Sequence, residues 1–265
     1  MTLVVHPGRA GQVRLLALSK PAGLPVFPLH NDPASDCVLA RLADACPSQM
    51  GVEWPKGFAG GIAHRLDNST SGQLLAVDVG PADDGESGVP LPLDALSDLR
   101  ARFASKRLKK RYLFVSGRQV SWQNHQVTRR LAHHRHKKSR MIVERGQNTP
   151  HRGRWLEAET DFAWVCSAGG GRNVWEATMR TGVMHQIRAH AAFVGIPLLG
   201  DKAYGSARDR GAIGDVLPEV VEFLLHHVGI AGRDIYVPEC PVPLWWPHAS
   251  KLNSELGLEP SQPLG

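Results

Sequence analysis

The sequence predicts an α+β fold, because strand-like and helix-like periodicities occur in the same chain of 265 residues. Apolar and polar residues alternate over 156–164 and 174–181, a pattern typical of half-buried antiparallel strands. Apolar residues recur at helical spacing over 93–103 and 183–194, which predicts amphipathic helices. The order of the strands in a sheet is not readable from these patterns.

In the first half of the chain, apolar runs end at turn residues. The predicted elements are strands at 13–18, 74–79 and 112–115, helices at 36–45 and 93–103, and a polar surface loop at 80–88. Lys20-Pro21 stops the first strand. The cations at 106–111 follow the second helix, where they either suit the helix dipole or form a patch that contacts phosphate.

Residues 129–154 are unusually basic. His133, His134 and His136 lack the spacing and carboxylate neighbours of a metal site, so we interpret them as part of a solvated basic strand or loop, compatible with binding RNA backbone. Further on, the predicted elements are strands at 156–164, 174–181 and 234–237, helices at 183–194 and 218–228, and a disordered tail at 251–265. No linker divides the chain, so residues 1–250 are predicted to form a single domain.

Composition narrows the class of protein. The net charge of +6 and the pI near 9.4 favour an anionic partner, although a basic protein without a polyanion has the same balance. The four cysteines are scattered without a Cys-x-x-Cys pair, which predicts neither a zinc site nor a disulfide framework and suits a reducing cytosol. We find no signal peptide and no apolar run long enough for a membrane span. We therefore expect a cytoplasmic protein, by default a monomer.

The stretch from His64 to Gly72 is the strongest candidate for chemistry. It places Asp67 beside an arginine in a polar loop, between Gly60-Gly61 and the apolar run at 74–77. Loops anchored on a core strand often carry chemistry, because the scaffold holds them while their side chains stay accessible. An ordinary turn is the alternative, since Asp, Asn, Ser, Thr and Gly are also turn residues.

This stretch resembles the active-site motif of the RluA-like pseudouridine synthases, and three further blocks resemble that family in the same order. The blocks are LSKPAGL at 18–24, HRLDNSTSGQLL at 64–75, KRYL at 110–113, and TGVMHQIRAH at 181–190 with GDKAYG at 200–205. The resemblance implies an α+β domain built on a mixed, largely antiparallel sheet flanked by helices and loops, with a central active-site cleft. It also implies an enzyme that isomerises uridine in RNA without a cofactor or metal.

The resemblance assigns the essential aspartate to Asp67, which acts either as a nucleophile or as a base on the sugar. A glycoside hydrolase usually needs two carboxylates flanking the bond. The sequence offers one carboxylate within a motif, which agrees better with isomerisation. The substrate is expected to be specific uridines in tRNA or large-subunit rRNA.

Further site residues are implied by the same resemblance. They are Arg188 as the ionic partner of Asp67, Tyr112 against the uracil, Arg65 in the space vacated by the flipped base, Ile187 and Leu74 as apolar contacts to the base, and His64 and Lys110 as further substrate-binding residues. A guanidinium beside a carboxylate favours its ionised form and fixes its orientation. For His64, a hydrogen bond that shapes the loop is the alternative to a chemical role.

Two departures from the family pattern keep other hypotheses open. Val183-Met184 stands where the family usually has Arg-Thr, which places the choice of RNA in doubt more than the chemistry. The first predicted core strand begins too early to leave room for the small S4-type RNA-binding domain of many relatives, so RNA selection is expected to rest on the catalytic domain. The rivals are a catalytically inactive RNA-binding protein of the same fold and a nucleoside or glycoside hydrolase.

Overall fold

The computed structural model describes residues 3–80, 91–205 and 222–258 and has the α+β class that the sequence predicts. The strands in these ranges are β1 (Val4–Ala10), β2 (Val13–Lys20), β3 (Ser71–Val77), β4 (Lys109–Ser116), β5 (Asn124–Val127), β6 (Leu131–His134), β7 (Met141–Val143), β8 (His151–Leu156), β9 (Thr160–Gly169), β10 (Arg172–Met179), β11 (Leu225–Ala231) and β12 (Ile235–Tyr236). The α-helices are α1 (Val38–Ala45), α2 (Pro92–Ala104), α3 (Gln186–Phe193) and α4 (Ala249–Glu255), and 3₁₀ helices span Pro47–Gly51 and Ala59–Gly61.

The chain forms two compact units. The first contains the described residues within Met1–Leu108, His227–Val242 and Ser250–Gly265, and the second contains those within Lys109–His226 and Pro243–Ala249. That residues 1–250 act as one domain stays a prediction. None of the helices in the described ranges has the length and apolar character that a membrane span needs.

The first unit is built on strands in the order β12-β1-β2-β3-β11. β1, β2 and β3 pair antiparallel, with Leu18 opposite Val5 on one side and Leu74 on the other. Every residue of β3 is buried, which explains its apolar run at 74–77. Leu75 belongs to a buried cluster that includes Leu99 of α2, and burying a leucine in this way stabilises the fold by roughly 1.5–3 kcal/mol.

Gly72 is required by close packing within this unit. Its φ is 115°, and a Cβ at this position would overlap the backbone of His227 in β11. The glycine that closes the motif loop therefore lets β3 begin directly against a neighbouring strand.

The second unit contains two antiparallel sheets. The larger has the order β4-β10-β9-β5, with Tyr112 opposite Ala177 and Ala177 opposite Phe162. The smaller has the order β7-β6-β8, and its strands with the turns between them are formed largely by the basic stretch at 129–154. Its apolar residues pack against α3 through a buried cluster that contains Leu131 and Ala189. The cluster fixes the position of α3 against the small sheet.

Most of the predicted elements are confirmed, three differ, and one lies mostly outside the described ranges. The predicted helix at 218–228 is wrong where the structure describes it, because 225–231 form the buried strand β11; residues 218–221 lie outside the described ranges. Most of the predicted loop at 80–88 also lies outside them. The predicted strand at 156–164 is two strands, since the backbone of Glu159 bonds to the side chains of Thr181 and Gln186. The predicted helix at 183–194 begins only at Gln186.

The C-terminal segment is ordered further than the sequence suggests. Residues 251–258, expected to belong to a disordered tail, include most of α4, and Leu252 and Leu258 are buried. Asn253 donates to the carbonyl oxygen of Val242 and accepts from its amide, at 3.1 and 2.9 Å. These contacts hold the helix on the first unit. Residues 259–265 lie outside the described ranges.

Candidate active site

The stretch from His64 to Gly72, called the motif loop here, contains a tight turn at Asp67–Thr70. The amide of Thr70 donates to the carbonyl oxygen of Asp67 at 3.0 Å, and Thr70 is buried while the Asp67 side chain is half-buried. Ser71 then begins β3 directly. A carboxylate on such a turn is accessible and held by a rigid strand, which suits a reacting group.

Lys20 is a buried side chain that ties this turn to the end of β2. Its side chain is 2% exposed, and its Nζ donates to the carbonyl oxygens of Pro21, Leu24 and Asn68 at 2.9, 2.7 and 2.9 Å. Three acceptors match the three N–H groups of an ammonium. Burial lowers the pKa of Lys20 to about 7, and the Asp67 carboxylate acts in the opposite direction. Lys20 thus places a cation beside Asp67 and ties the turn to the end of β2.

His64 has the loop-shaping role that the sequence left open. Its Nε2 accepts a hydrogen bond from the amide of Leu75 at 3.1 Å, so this nitrogen carries no proton. The carbonyl oxygen of Leu75 accepts from the amide of Ala63 at 2.8 Å. The imidazole therefore takes the place of a backbone acceptor beside β3. The assigned role of His64 in substrate binding stays a prediction.

Arg65 and Leu74 differ sharply in accessibility. The Arg65 side chain is exposed, with its guanidinium carbon 5.9 Å from the centroid of the Phe27 ring. A flat, exposed cation of this kind suits stacking against a base. Leu74 is fully buried within β3, which favours a core role over the predicted contact with the base.

In the second unit, Arg188 of α3 is clamped by a buried carboxylate. Its Nε and Nη2 donate to the two oxygens of Asp201 at 2.7 and 2.9 Å, and the residues are 6% and 0% exposed. The guanidinium carbon also lies 4.3 Å from the centroid of the Phe223 ring and 5.2 Å from that of Tyr204. A two-pronged ion pair between rings leaves the guanidinium little freedom.

The other predicted residues of the second unit lie on α3 and on β4. Tyr112 is buried on β4, and Ile187 is buried on α3 beside Arg188. Burial lowers the pKa of Lys110 to about 8. A Cβ at Gly182 would lie 2.9 Å from the Lys110 Nζ, so the glycine leaves room for this ammonium.

The two replacements in the Thr-Gly-Val-Met block have different surroundings. Val183 packs against the buried cluster that joins α3 to the small sheet, whereas Met184 is 39% exposed. Gln186 holds the block by accepting from the Val183 amide and the Thr181 hydroxyl at 3.2 and 2.9 Å. The loop is thus fixed by contacts that need neither the family's Arg nor its Thr.

A buried polar network joins α3 to β9 and to the start of the small sheet. The Nε2 of His190 donates to the carbonyl oxygen of Arg129 at 2.9 Å, and its Nδ1 accepts from the Thr160 hydroxyl at 2.9 Å. The side-chain amide of Gln186 donates to Thr160 at 3.0 Å. These partners suit neutral His190, and burial lowers its pKa to about 4.

We expect His190 to make the protein less stable in mild acid. The unfolded chain protonates this imidazole near pH 6.5, whereas the folded protein does so only near pH 4. The unfolded state therefore binds more protons in this window, and stability falls as the pH falls from 6.5 to 4, by up to about 3 kcal/mol. Urea unfolding at pH 7.5, 5.5 and 4.5 measures this loss. His190→Gln should lose less stability over that range, and an unchanged pH slope would contradict the assignment.

Lys20, Asp201 and Tyr204 are functional candidates to which the sequence analysis gave no role. Each lies in a block that resembles the family, so the signal was present, but their contacts link distant positions. Asp67, His64, Arg65 and Leu74 belong to the first unit, and Tyr112, Lys110, Ile187 and Arg188 belong to the second. The pairing of Asp67 with Arg188 in one cleft stays a prediction. Among the described residues, no three His, Cys, Asp or Glu side chains could together hold a metal.

Solved structures define the class of fold. The chain superposes on human RNA pseudouridylate synthase domain containing 1 with a TM-score of 0.63 and 18% identity, covering 97% of this chain and 96% of that one. For human RNA pseudouridylate synthase domain containing 4, the TM-score is 0.59 at 19% identity, with 94% and 92% covered. The fold is therefore that of the pseudouridine synthases. No protein-family model matches the chain.

Curated relatives extend the likeness to the sequence. The chain is 28% identical over 197 residues to ribosomal large subunit pseudouridine synthase D of Zymomonas mobilis, covering 73% of this chain and 54% of the relative. It is 32% identical over 148 residues to the chloroplastic RNA pseudouridine synthase 2 of Oryza sativa subsp. japonica, covering 56% and 30%. It thus spans about half or less of the length of these relatives. In sequence as in fold, the chain is therefore similar to RNA pseudouridine synthases, the class of protein that its four motif blocks resemble.

Proposed function

We propose that this protein isomerises specific uridines in tRNA or large-subunit rRNA to pseudouridine. The observation that carries the proposal is the Asp67 turn. There a half-buried carboxylate directly precedes the core strand β3, with the buried Lys20 ammonium beside it. Nothing in the reaction requires a redox or group-donating cofactor, because the product is an isomer of the substrate.

In the proposed reaction, the N1–C1′ bond of uridine breaks, the base turns, and C5 bonds to C1′. The proton on C5 then leaves, so that no atom of the nucleotide is gained or lost. Asp67 either attacks the sugar as a nucleophile or removes a proton from it as a base. Both routes need an ionised carboxylate at a fixed position, which a cation and a hydrogen-bonded turn favour.

Residues of the second unit would complete the site. Arg188, held by Asp201, is the proposed ionic partner of Asp67, and Tyr112 is proposed to stack on the uracil. The uridine must leave its stack to react, which requires a few kcal/mol. The exposed guanidinium of Arg65 is suited to fill the space that the base vacates.

RNA backbone is proposed to bind on the basic hairpin, which comprises β6, β7 and the turn between them (residues 131–143). Arg135, His136, Lys137 and Lys138 are exposed on this turn. His134 organises it, because its Nδ1 accepts from the amides of His136 and Lys137 at 3.1 and 3.2 Å. Exposed cations on an ordered turn can follow a phosphate backbone.

Reversing the charge of Lys137 and Lys138 together to glutamate should weaken RNA binding. Each lost phosphate contact is expected to flatten the slope of log affinity against log salt by about 0.7–0.9. The measurement is RNA affinity at several salt concentrations. The matched control is Lys56→Glu with Lys251→Glu, which changes the net charge equally at two exposed positions of the first unit. Equal losses in both proteins would mean that only net charge matters.

The direct test of the function is tritium release from RNA labelled at C5 of uridine. Total tRNA and rRNA are assayed separately with the wild type, because the sequence leaves the RNA class open. Release from one of them would establish reaction at C5 and name that class. Tight RNA binding without release would support the inactive RNA-binding protein, and free uracil as product would support the hydrolase.

A further inference from the structure

The hydroxyl of Tyr204 connects the basic hairpin to the residue that precedes α3. The backbone amide of Met141, on β7, donates to the Tyr204 hydroxyl at 2.8 Å. The same hydroxyl lies 3.1 Å from the Nδ1 of His185. Because an amide can only donate, the hydroxyl accepts from Met141 and has its own proton available for His185. Burial raises the pKa of Tyr204 to about 12, which keeps that proton in place.

The ring of Tyr204 touches the same two regions. The guanidinium carbons of Arg140, in the hairpin turn, and of Arg188, in α3, each lie 5.2 Å from the ring centroid. The amide of Tyr204 donates at 3.2 Å to the Asp201 carboxylate that clamps Arg188. One side chain is thus in contact with a cation of the proposed RNA surface and with the arginine of the proposed active site.

His185 is the point at which this connection reaches the helix. Its φ is 53°, a left-handed backbone conformation that residues other than glycine rarely adopt, and α3 begins at the next residue. Such a conformation persists only where its surroundings hold it. A shift of the hairpin would pull on His185 through Tyr204, and the start of the helix that carries Arg188 would respond.

We propose that Tyr204 is a positioning residue that couples RNA bound on the basic hairpin to the placement of Arg188. The inference rests on the proposed function, since it requires both that RNA binds on the basic hairpin and that Arg188 belongs to the active site. Tyr204 belongs to the buried cluster around α3 as well, so a purely structural role is the competing explanation. Removing the hydroxyl distinguishes the two, because a purely structural role would lower stability without lowering kcat in the folded protein.

The test is Tyr204→Phe, which keeps the ring, its packing and its contacts with both arginines. We expect kcat for tritium release, measured well below the melting temperature, to fall about tenfold with KM within about twofold, because misplaced groups slow chemistry more than binding. Tyr236→Phe is the control, since Tyr236 is 58% exposed and its ring lies against the side chain of Arg9 in the first unit.

A double-mutant cycle isolates the coupling. Reversing the charges of Lys137 and Lys138 should lower kcat at saturating RNA when the rest of the protein is wild type. In the Tyr204→Phe protein, the same charge reversal should lower kcat no further. Independent effects that multiply would overturn the coupling, as would full activity of Tyr204→Phe beside an active wild type. An inactive wild type would overturn the proposed function and this inference together, so the two failures are distinguishable.

Discussion

Replacing Asp67 with alanine is expected to abolish tritium release while RNA affinity stays within about twofold of the wild type. The side chain is half-buried on a turn that is held by the Thr70 amide and by Lys20, each bonded to a main-chain carbonyl oxygen, so its removal should leave the loop in place. Loss of a group that reacts with the sugar should lower kcat by roughly 10³-fold or more. Single-turnover release with saturating enzyme measures the chemical step directly.

Two companion variants sharpen this result. Asp67→Asn keeps the shape and removes the charge, and it should be as inactive as the alanine variant under either route. Asp44→Asn changes an exposed aspartate of α1 and should be fully active. Turnover of Asp67→Ala near that of the wild type would remove Asp67 from the mechanism, and a large loss of RNA affinity would mean that it helps to bind RNA.

The sequence predicted elements well where one physical signal was dominant. β3 was readable because both faces of its second half are buried, which leaves an unbroken apolar run at 74–77. β1 was missed because it contains Pro7 and Gly8, which normally argue against a strand. The structure accommodates both residues on the side of β12, because β12 pairs with β1 only at Arg9 and Ala10 and therefore needs no hydrogen bond from Pro7.

The candidate site was predictable in its motifs but not in its supports. Asp67 and Arg188 stood out because the motif blocks name them. Lys20 reaches the turn of Asp67 through Asn68, 48 residues along the chain, and no local periodicity reports such a contact. The clamp on Arg188 was hidden for a similar reason, because Asp201 follows α3 across a loop. Contacts of this kind depend on tertiary packing, which a single sequence does not display.

Asp201→Asn should destabilise the protein more than any change at a surface ion pair. The substitution preserves shape but leaves the buried guanidinium of Arg188 without the charge of its bidentate partner. Breaking a buried pair in this way costs about 3–5 kcal/mol. For a chain of this size, that corresponds to a fall in melting temperature of roughly 6–20 °C. Thermal unfolding measured with the wild type in parallel tests this.

The control is a pair of the same chemistry at the surface. Arg41 donates through two nitrogens to both oxygens of Asp36, whose side chain is 61% exposed. Asp36→Asn should barely change the melting temperature, because water solvates the arginine that remains. A second comparison replaces the buried pair with Arg188→Met and Asp201→Leu together. This double variant should regain much of the stability, since packed apolar groups can substitute for a buried ion pair, but it should stay inactive.

The same measurement bears on the pairing of Arg188 with Asp67 that the family resemblance implies. If Asp201 is the main partner of Arg188, the asparagine variant must lose about 3–5 kcal/mol of stability. A clearly smaller loss would mean that a second carboxylate shares the guanidinium, and Asp67 is the partner that the motifs assign. Combining Asp67→Asn with Asp201→Asn would then produce the loss that the single variant lacked. Adding Asp44→Asn to Asp201→Asn instead would produce none.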